Sequence, residues 1–87
     1  MNNFISEGSQ VGSNVGRVAY ALEQLNEHNI EYTLKNASTG HFHCRRKSDD
    51  RLVQFWASTG KIYDAHSHYG DTERGIHALI KYLEEWR

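Results

Sequence analysis

Between Ile30 and Tyr63 apolar and polar residues alternate in one short run after another, and each run ends in a cluster of turn-forming residues. A period of two sends successive side chains to opposite faces, so each run reads as a half-buried strand. Ile30-Glu-Tyr-Thr-Leu34 is the first. His41-Phe-His-Cys-Arg45 is the second, with Phe42 and Cys44 on one face. Leu52-Val-Gln-Phe-Trp-Ala57 is the third, and Lys61-Ile-Tyr63 a short fourth. The connections, Ala37–Gly40, Lys47–Asp50 and Ser58–Gly60, are too short for a crossover helix. Strands joined this way form an antiparallel meander.

The flanking segments carry a different period. Val15, Val18, Leu22 and Leu25, with Ala19 on the same stripe, recur at helical spacing. Ser13 or Asn14 can cap the start of that helix, and His28-Asn29 ends it, because Asn tolerates the left-handed stop position. After a polar loop, Asp64 to Gly70, a final helix is expected, capped by Asp71 or Thr72 and carrying Ile76, Leu79, Ile80 and Leu83, with Trp86 near its end. Gly75 falls in its first turn, where close approach to the sheet would explain it. Residues 1–12, rich in Asn, Ser and Gly, read as a flexible arm anchored by Phe4 and Ile5. Residues 13–87 read as one domain.

An antiparallel sheet can bury one face and wet the other, so both apolar helix stripes are expected on one sheet face. The fold class is α+β, in the order α-β-β-β-(β)-α. The expected core is Val15, Val18, Leu22, Leu25, Ile30, Tyr32, Leu34, Phe42, Cys44, Val53, Phe55, Ile62, Ile76, Leu79, Ile80 and Leu83. Parity then puts Glu31, Thr33, Lys35, His41, His43, Arg45, Gln54, Trp56, Lys61 and Tyr63 on the open face. The third strand decides this. A slip of one residue would bury Trp56 and expose Val53 and Phe55 instead.

Composition narrows the function classes. Eighty-seven residues fit one core. Ten Lys and Arg against eleven Asp and Glu leave a net charge of −1, so no global field draws the chain to nucleic acid. The charge is nevertheless segregated: residues 1–30 net −2, residues 31–63 net +3 and residues 64–87 net −2. The single cysteine, Cys44, excludes an intramolecular disulfide. No apolar run approaches the roughly 18 residues of a membrane span, and Met1 to Gln10 lacks the pattern of a signal peptide. The expectation is a cytoplasmic protein with no membrane partner.

Several constellations invite chemistry. His41 and His43 share a strand face about 7 Å apart. His66, His68 and Asp71 form a second cluster in the loop, and two imidazoles with a carboxylate can bind a transition metal. Six ordinary polar histidines explain both clusters as well, and no cofactor is expected. Cys44 has basic neighbours, but parity turns it inward as a structural thiol. Ser58-Thr-Gly-Lys61 lacks the glycine-rich loop of a phosphate site and reads as a hairpin turn. Arg45, Arg46, Lys47 and Arg51 make a basic patch that Asp49 and Asp50 partly cancel. With Trp56 and Tyr63 beside it, the patch suits a nucleic-acid backbone.

Two resemblances follow from these residues. The element order resembles a double-stranded-RNA-binding domain. That family grips phosphate with lysines opening its last helix, whereas the matching stretch here, Gly70-Asp-Thr-Glu-Arg-Gly75, has one basic residue and two acidic ones, so the likeness is one of topology. The strings Gly40-His-Phe-His, Phe55-Trp-Ala-Ser-Thr-Gly-Lys-Ile62 and Arg74-Gly-Ile-His-Ala-Leu-Ile-Lys-Tyr-Leu83 are similar to small phage and prophage proteins, over residues 18–83. That resemblance implies a short accessory protein that blocks a host-defence or nucleic-acid-processing factor, with no catalytic residues. The leading expectation is therefore a non-enzymatic inhibitor of a host protein or protein–nucleic-acid complex, with a homodimer admitted. Its binding residues would be Trp56, His41, His43, Arg45, Tyr63, Lys35, Arg46 and Lys47. The alternatives are a single-stranded nucleic-acid-binding module using the same face and, more distantly, a His-ligated metal-binding protein.

Overall fold

The computed structural model describes the backbone of residues 8–85 and the side chains from residue 15. The order is α1 (Gly8–Glu27), β1 (Tyr32–Asn36), β2 (His41–Arg45), β3 (Leu52–Trp56), β4 (Lys61–Tyr63), α2 (Tyr69–Thr72) and α3 (Ile76–Glu85). The four strands form one antiparallel sheet in the order β1-β2-β3-β4, the meander expected from the short turns. Phe4, Ile5 and Trp86 lie outside the described residues.

α1 begins at Gly8, well before the expected cap at Ser13 or Asn14 and inside the expected arm. Once a helix exists, each added residue gains a hydrogen bond at little cost, so Gly, Ser and Asn are taken into it. Its buried residues are Val18, Ala21 and Leu25, with Leu22 half-buried. Val15 and Ala19, both expected on the buried stripe, are exposed, and Val15 is 59% so. A 20-residue helix is about 30 Å long against about 17 Å of strand. Val18 already stands over Gly40, at the turn that ends the sheet, so Val15 lies a helical turn beyond that end.

The helix stop forms as expected. Asn29 takes a left-handed φ of 57°, the Ile30 amide reaches the Leu25 carbonyl at 2.9 Å and the Asn29 amide the Asn26 carbonyl at 3.1 Å. These are the paired bonds of a Schellman cap, with Ile30 and Leu25 as its apolar contact. Ile30 is consumed in that cap, so β1 starts two residues later than expected, at Tyr32.

Val53 and Phe55 point inward, and Leu52, Gln54 and Trp56 outward, so the third strand has the open-Trp facing. α1 and α3 bury their stripes in one cluster with Phe42, Cys44, Val53, Phe55 and Ile62, which puts both helices on one sheet face. Tyr32, Leu34, Leu22 and Ile76, expected in the core, are half-buried against it. Tyr82, which was not expected there, is fully buried.

The expected loop and cap before the last helix are corrected too. Tyr69–Thr72 forms a helical turn of its own, α2, and α3 starts only at Ile76. Gly70 permits this: a Cβ there would stand 1.8 Å from the Ile62 carbonyl oxygen, so α2 lies directly on β4. Gly75 precedes α3 with a φ of +97°, and a Cβ on it would meet nothing within 4 Å. Backbone conformation, not close approach, explains that glycine.

Candidate functional site

The outward positions of the four strands are Thr33 and Lys35, then His41, His43 and Arg45, then Leu52, Gln54 and Trp56, then Lys61 and Tyr63. Within the strands they carry three fixed positive charges and two imidazoles; Glu31, expected on this face, lies one residue before β1, where its carbonyl accepts the Arg45 amide at 2.9 Å and its side chain is exposed. Register sets their neighbours: His41 lies opposite Trp56, His43 opposite Gln54, and Trp56 opposite Lys61. Tyr63 pairs with Gln54 and is 47% exposed. Lys35 is the extra residue where the β1–β2 register shifts between Leu34 and Asn36.

On the two middle strands, at the end of the sheet next to the Ala37–Gly40 and Ser58–Gly60 turns, the His41 and Trp56 rings stack at 4.4 Å and within 5° of parallel. His43 meets His41 edge-on at 5.1 Å. His41 Nε2 lies 2.9 Å from Gln54 Oε1. A carboxamide oxygen only accepts, so Nε2 carries the proton and the ring is held upright against the indole. His43 is shifted below the usual imidazole range, by burial first and then by the charges of His41, Lys35 and Arg45; a bond to Gln54 opposes the shift. Burial and three charged neighbours thus disfavour a further cation at His43.

The rest of the expected basic patch is built into the molecule. Arg46 is buried, 4% exposed, and turned away from the open face. Its Nε and one terminal nitrogen donate to Asp49 at 3.0 and 2.6 Å, and its guanidinium lies 5.1 Å from the Tyr82 ring centre. Lys47 Nζ donates to the His28 carbonyl at 2.6 Å and to Glu84 at 3.2 Å, tying the β2–β3 turn to α3. Arg51 pairs with Asp64 at 3.0 Å. Asp64 is itself buried, accepts the Tyr82 hydroxyl and the His66 amide, and lies below its ordinary range although burial pushes it up. The Arg46 hydrogen bond holds the Asp49 carboxyl down at about 2. Of the residues expected to bind, the fold therefore brings Trp56, His41, His43, Arg45, Tyr63 and Lys35 together and places Arg46 and Lys47 elsewhere.

The loop histidines do not converge. His68 Nδ1 meets Asp71 at 3.0 Å on the exposed surface, and His66 engages Asp64 through its backbone amide. Among the described residues no group of three or more His, Cys, Asp or Glu side chains is placed to hold a metal ion. Cys44 is buried, which pushes its thiol up to about 12 and leaves it protonated at neutral pH. Among the described residues no helix is long and apolar enough to cross a membrane.

A missed element of the site is a hollow of about 160 Å³ at its edge, lined by Arg51, Leu52, Gln54, Tyr63, Ala65 and His66. Strand parity gives Leu52, Gln54 and Tyr63, but only the fold of the loop after β4 adds Ala65 and His66. Comparison with family models, with curated proteins and with solved structures finds no match to this chain.

Proposed function

We propose that this chain is a non-enzymatic binding protein that occupies a macromolecular partner through the outer face of its sheet. On the resemblance noted above, it acts as a small phage accessory protein in the cytoplasm of a host cell, blocking a defence or nucleic-acid-processing factor by occupying that factor or the nucleic acid it works on. The observation that carries the reading is the His41–Trp56 stack. It stands half-exposed on the two middle strands of a face that α1 and α3 leave uncovered. Large aromatic side chains, Trp above all, supply a large part of the energy of such contacts. Around them stand Arg45, Lys35, His43 and Tyr63, which suit a polar, anionic rim.

The test is capture from a bacterial lysate by the wild-type chain and by Trp56→Ala, each shown to keep its cooperative melting. The reading expects a partner held by the wild type and lost by the variant. Equal capture by both would place the contact elsewhere.

A further inference from the structure

The chemistry of the outer face allows the partner class to be named, on the condition that this face is the contact surface. We propose that the ligand of the face is single-stranded nucleic acid, with bases extending the His41–Trp56 stack and phosphates met by Lys35, Arg45 and Lys61.

Three observations favour this partner over a protein surface. The first is charge. Lys35, Arg45 and Lys61 stand at outward strand positions against one acidic residue, Glu31 at the margin before β1, although the chain as a whole is net −1. The charge is placed, and its complement is an anion. The second is the kind of apolar surface. A protein interface of this size centres on a packed apolar core. Here Leu52 is the one aliphatic side chain at these positions, and it is only half-exposed. What the face offers instead is ring surface: Trp56, His41 and Tyr63. Every base has a π-face, so such rings bind single strands with little regard to sequence.

The third is geometry. A duplex keeps its base faces inside the stack and could use none of these rings, whereas an unpaired strand can lay bases on them. Four strands span about 14 Å from first to last, and a four-stranded sheet with exposed rings accommodates about two or three stacked bases. Lys35 on β1 and Lys61 on β4 flank the ring pair, and Arg45 stands at the far end of β2, opposite Leu52. A strand that enters beside Lys61 and Lys35 lays its bases on the rings, and its continuation along β2 brings a further phosphate to Arg45.

The experiment is fluorescence anisotropy with a labelled mixed-sequence single strand of about 12 nucleotides, as DNA and as RNA, against a duplex of the same sequence. Salt is varied from roughly 50 to 200 mM. The wild-type chain is expected to prefer the single strand. Its log affinity should fall with log salt at a slope of about −2, for three phosphate contacts at about 0.7 each. Lys61→Gln, at an exposed strand position, should flatten that slope by about 0.7. Trp56→Ala should weaken binding roughly tenfold or more, and Trp56→Phe, which keeps a ring, should restore most of it. Failure of the single strand to bind, equal binding of the duplex, or an affinity indifferent to both Trp56→Ala and Lys61→Gln overturns the proposal. If the oligonucleotide fails while nuclease-treated lysate still yields a protein held by the wild type and lost by Trp56→Ala, the contact face stands and its ligand is a protein. If that capture fails as well, the contact face falls too.

Discussion

Trp56 and Leu79 are both large apolar side chains, yet the fold uses them in opposite ways. Leu79 is fully buried against the inner sheet face, so Leu79→Ala removes packed methyl groups and leaves a cavity, at a cost of about 2–5 kcal/mol. For a domain of this size that is a large part of the total stability. Trp56 is half-exposed and rests on His41, so Trp56→Ala loses a ring contact and little core. Thermal melting should show a large drop for Leu79→Ala and a much smaller one for Trp56→Ala. Equal drops would mean that the indole is a core residue and that the third strand faces the other way. The histidine beside it follows the same logic. Its value lies in a ring held parallel to the indole by Gln54, which a change of His41 to a charged residue would forfeit.

At the scale of elements, the meander is legible in the alternation of residues 30–63 and the helix stop in the residue type of Asn29, whereas the alternation left β3 open to a slip that the burial of Val53 and Phe55 decides. What escaped was where each pattern stops. Phe42 and Cys44 face inward, and the same parity carried one step past β2 points Arg46 inward; Ile62 carried one step past β4 does the same for Asp64. A charged residue normally ends an apolar pattern, so the sequence places Arg46 in the basic patch and Asp64 in the polar loop. They are kept inside because Arg46 finds Asp49, and Asp64 finds Arg51 and Tyr82. Tyr82 follows Leu79 by three residues and widens the α3 stripe, a signal present in the spacing. α2 had no such signal, since its place depends on the contact of Gly70 with Ile62.

That contact makes a prediction. Gly70→Ala forces a methyl group into the β4 backbone and should cost about 1–3 kcal/mol or more, with faster amide exchange in α2 and at Ile62. Gly75 has open space and a positive φ, so Gly75→Asn should be tolerated better than Gly75→Ala, because Asn visits the left-handed region more readily. Equal melting temperatures for Gly70→Ala and the wild type would show that α2 does not rest on β4.

At the scale of the whole molecule, charge is divided between two jobs. One end of the domain spends its basic residues on internal pairs, Arg46–Asp49, Arg51–Asp64 and Lys47–Glu84, which bind the β2–β3 turn to the loop after β4 and to α3. The outer sheet face keeps Lys35, Arg45 and Lys61 against the single acidic residue Glu31 at its margin. The first job has a pH signature. Asp49, Asp64 and Glu84 all lie below their ordinary values in the folded chain. A carboxylate depressed by folding contributes its full stability above the unfolded value, near 4, and loses it as the pH falls through the folded value. The melting temperature should therefore fall as pH drops from about 4 toward about 2. Asp64→Asn should be less stable at neutral pH and less sensitive to acid. A melting temperature flat across that window would mean that these pairs contribute nothing net.

The second job is the one on which the functional account stands, and backbone amide chemical shifts report on it residue by residue. When a mixed-sequence single-stranded oligonucleotide is titrated into isotopically labelled protein, the account predicts shifts concentrated at His41, His43, Arg45, Gln54, Trp56, Lys61 and Tyr63, with the exposed sides of α1 and α3 unchanged. Shifts centred on those helices, or none at all at saturating oligonucleotide, would contradict it.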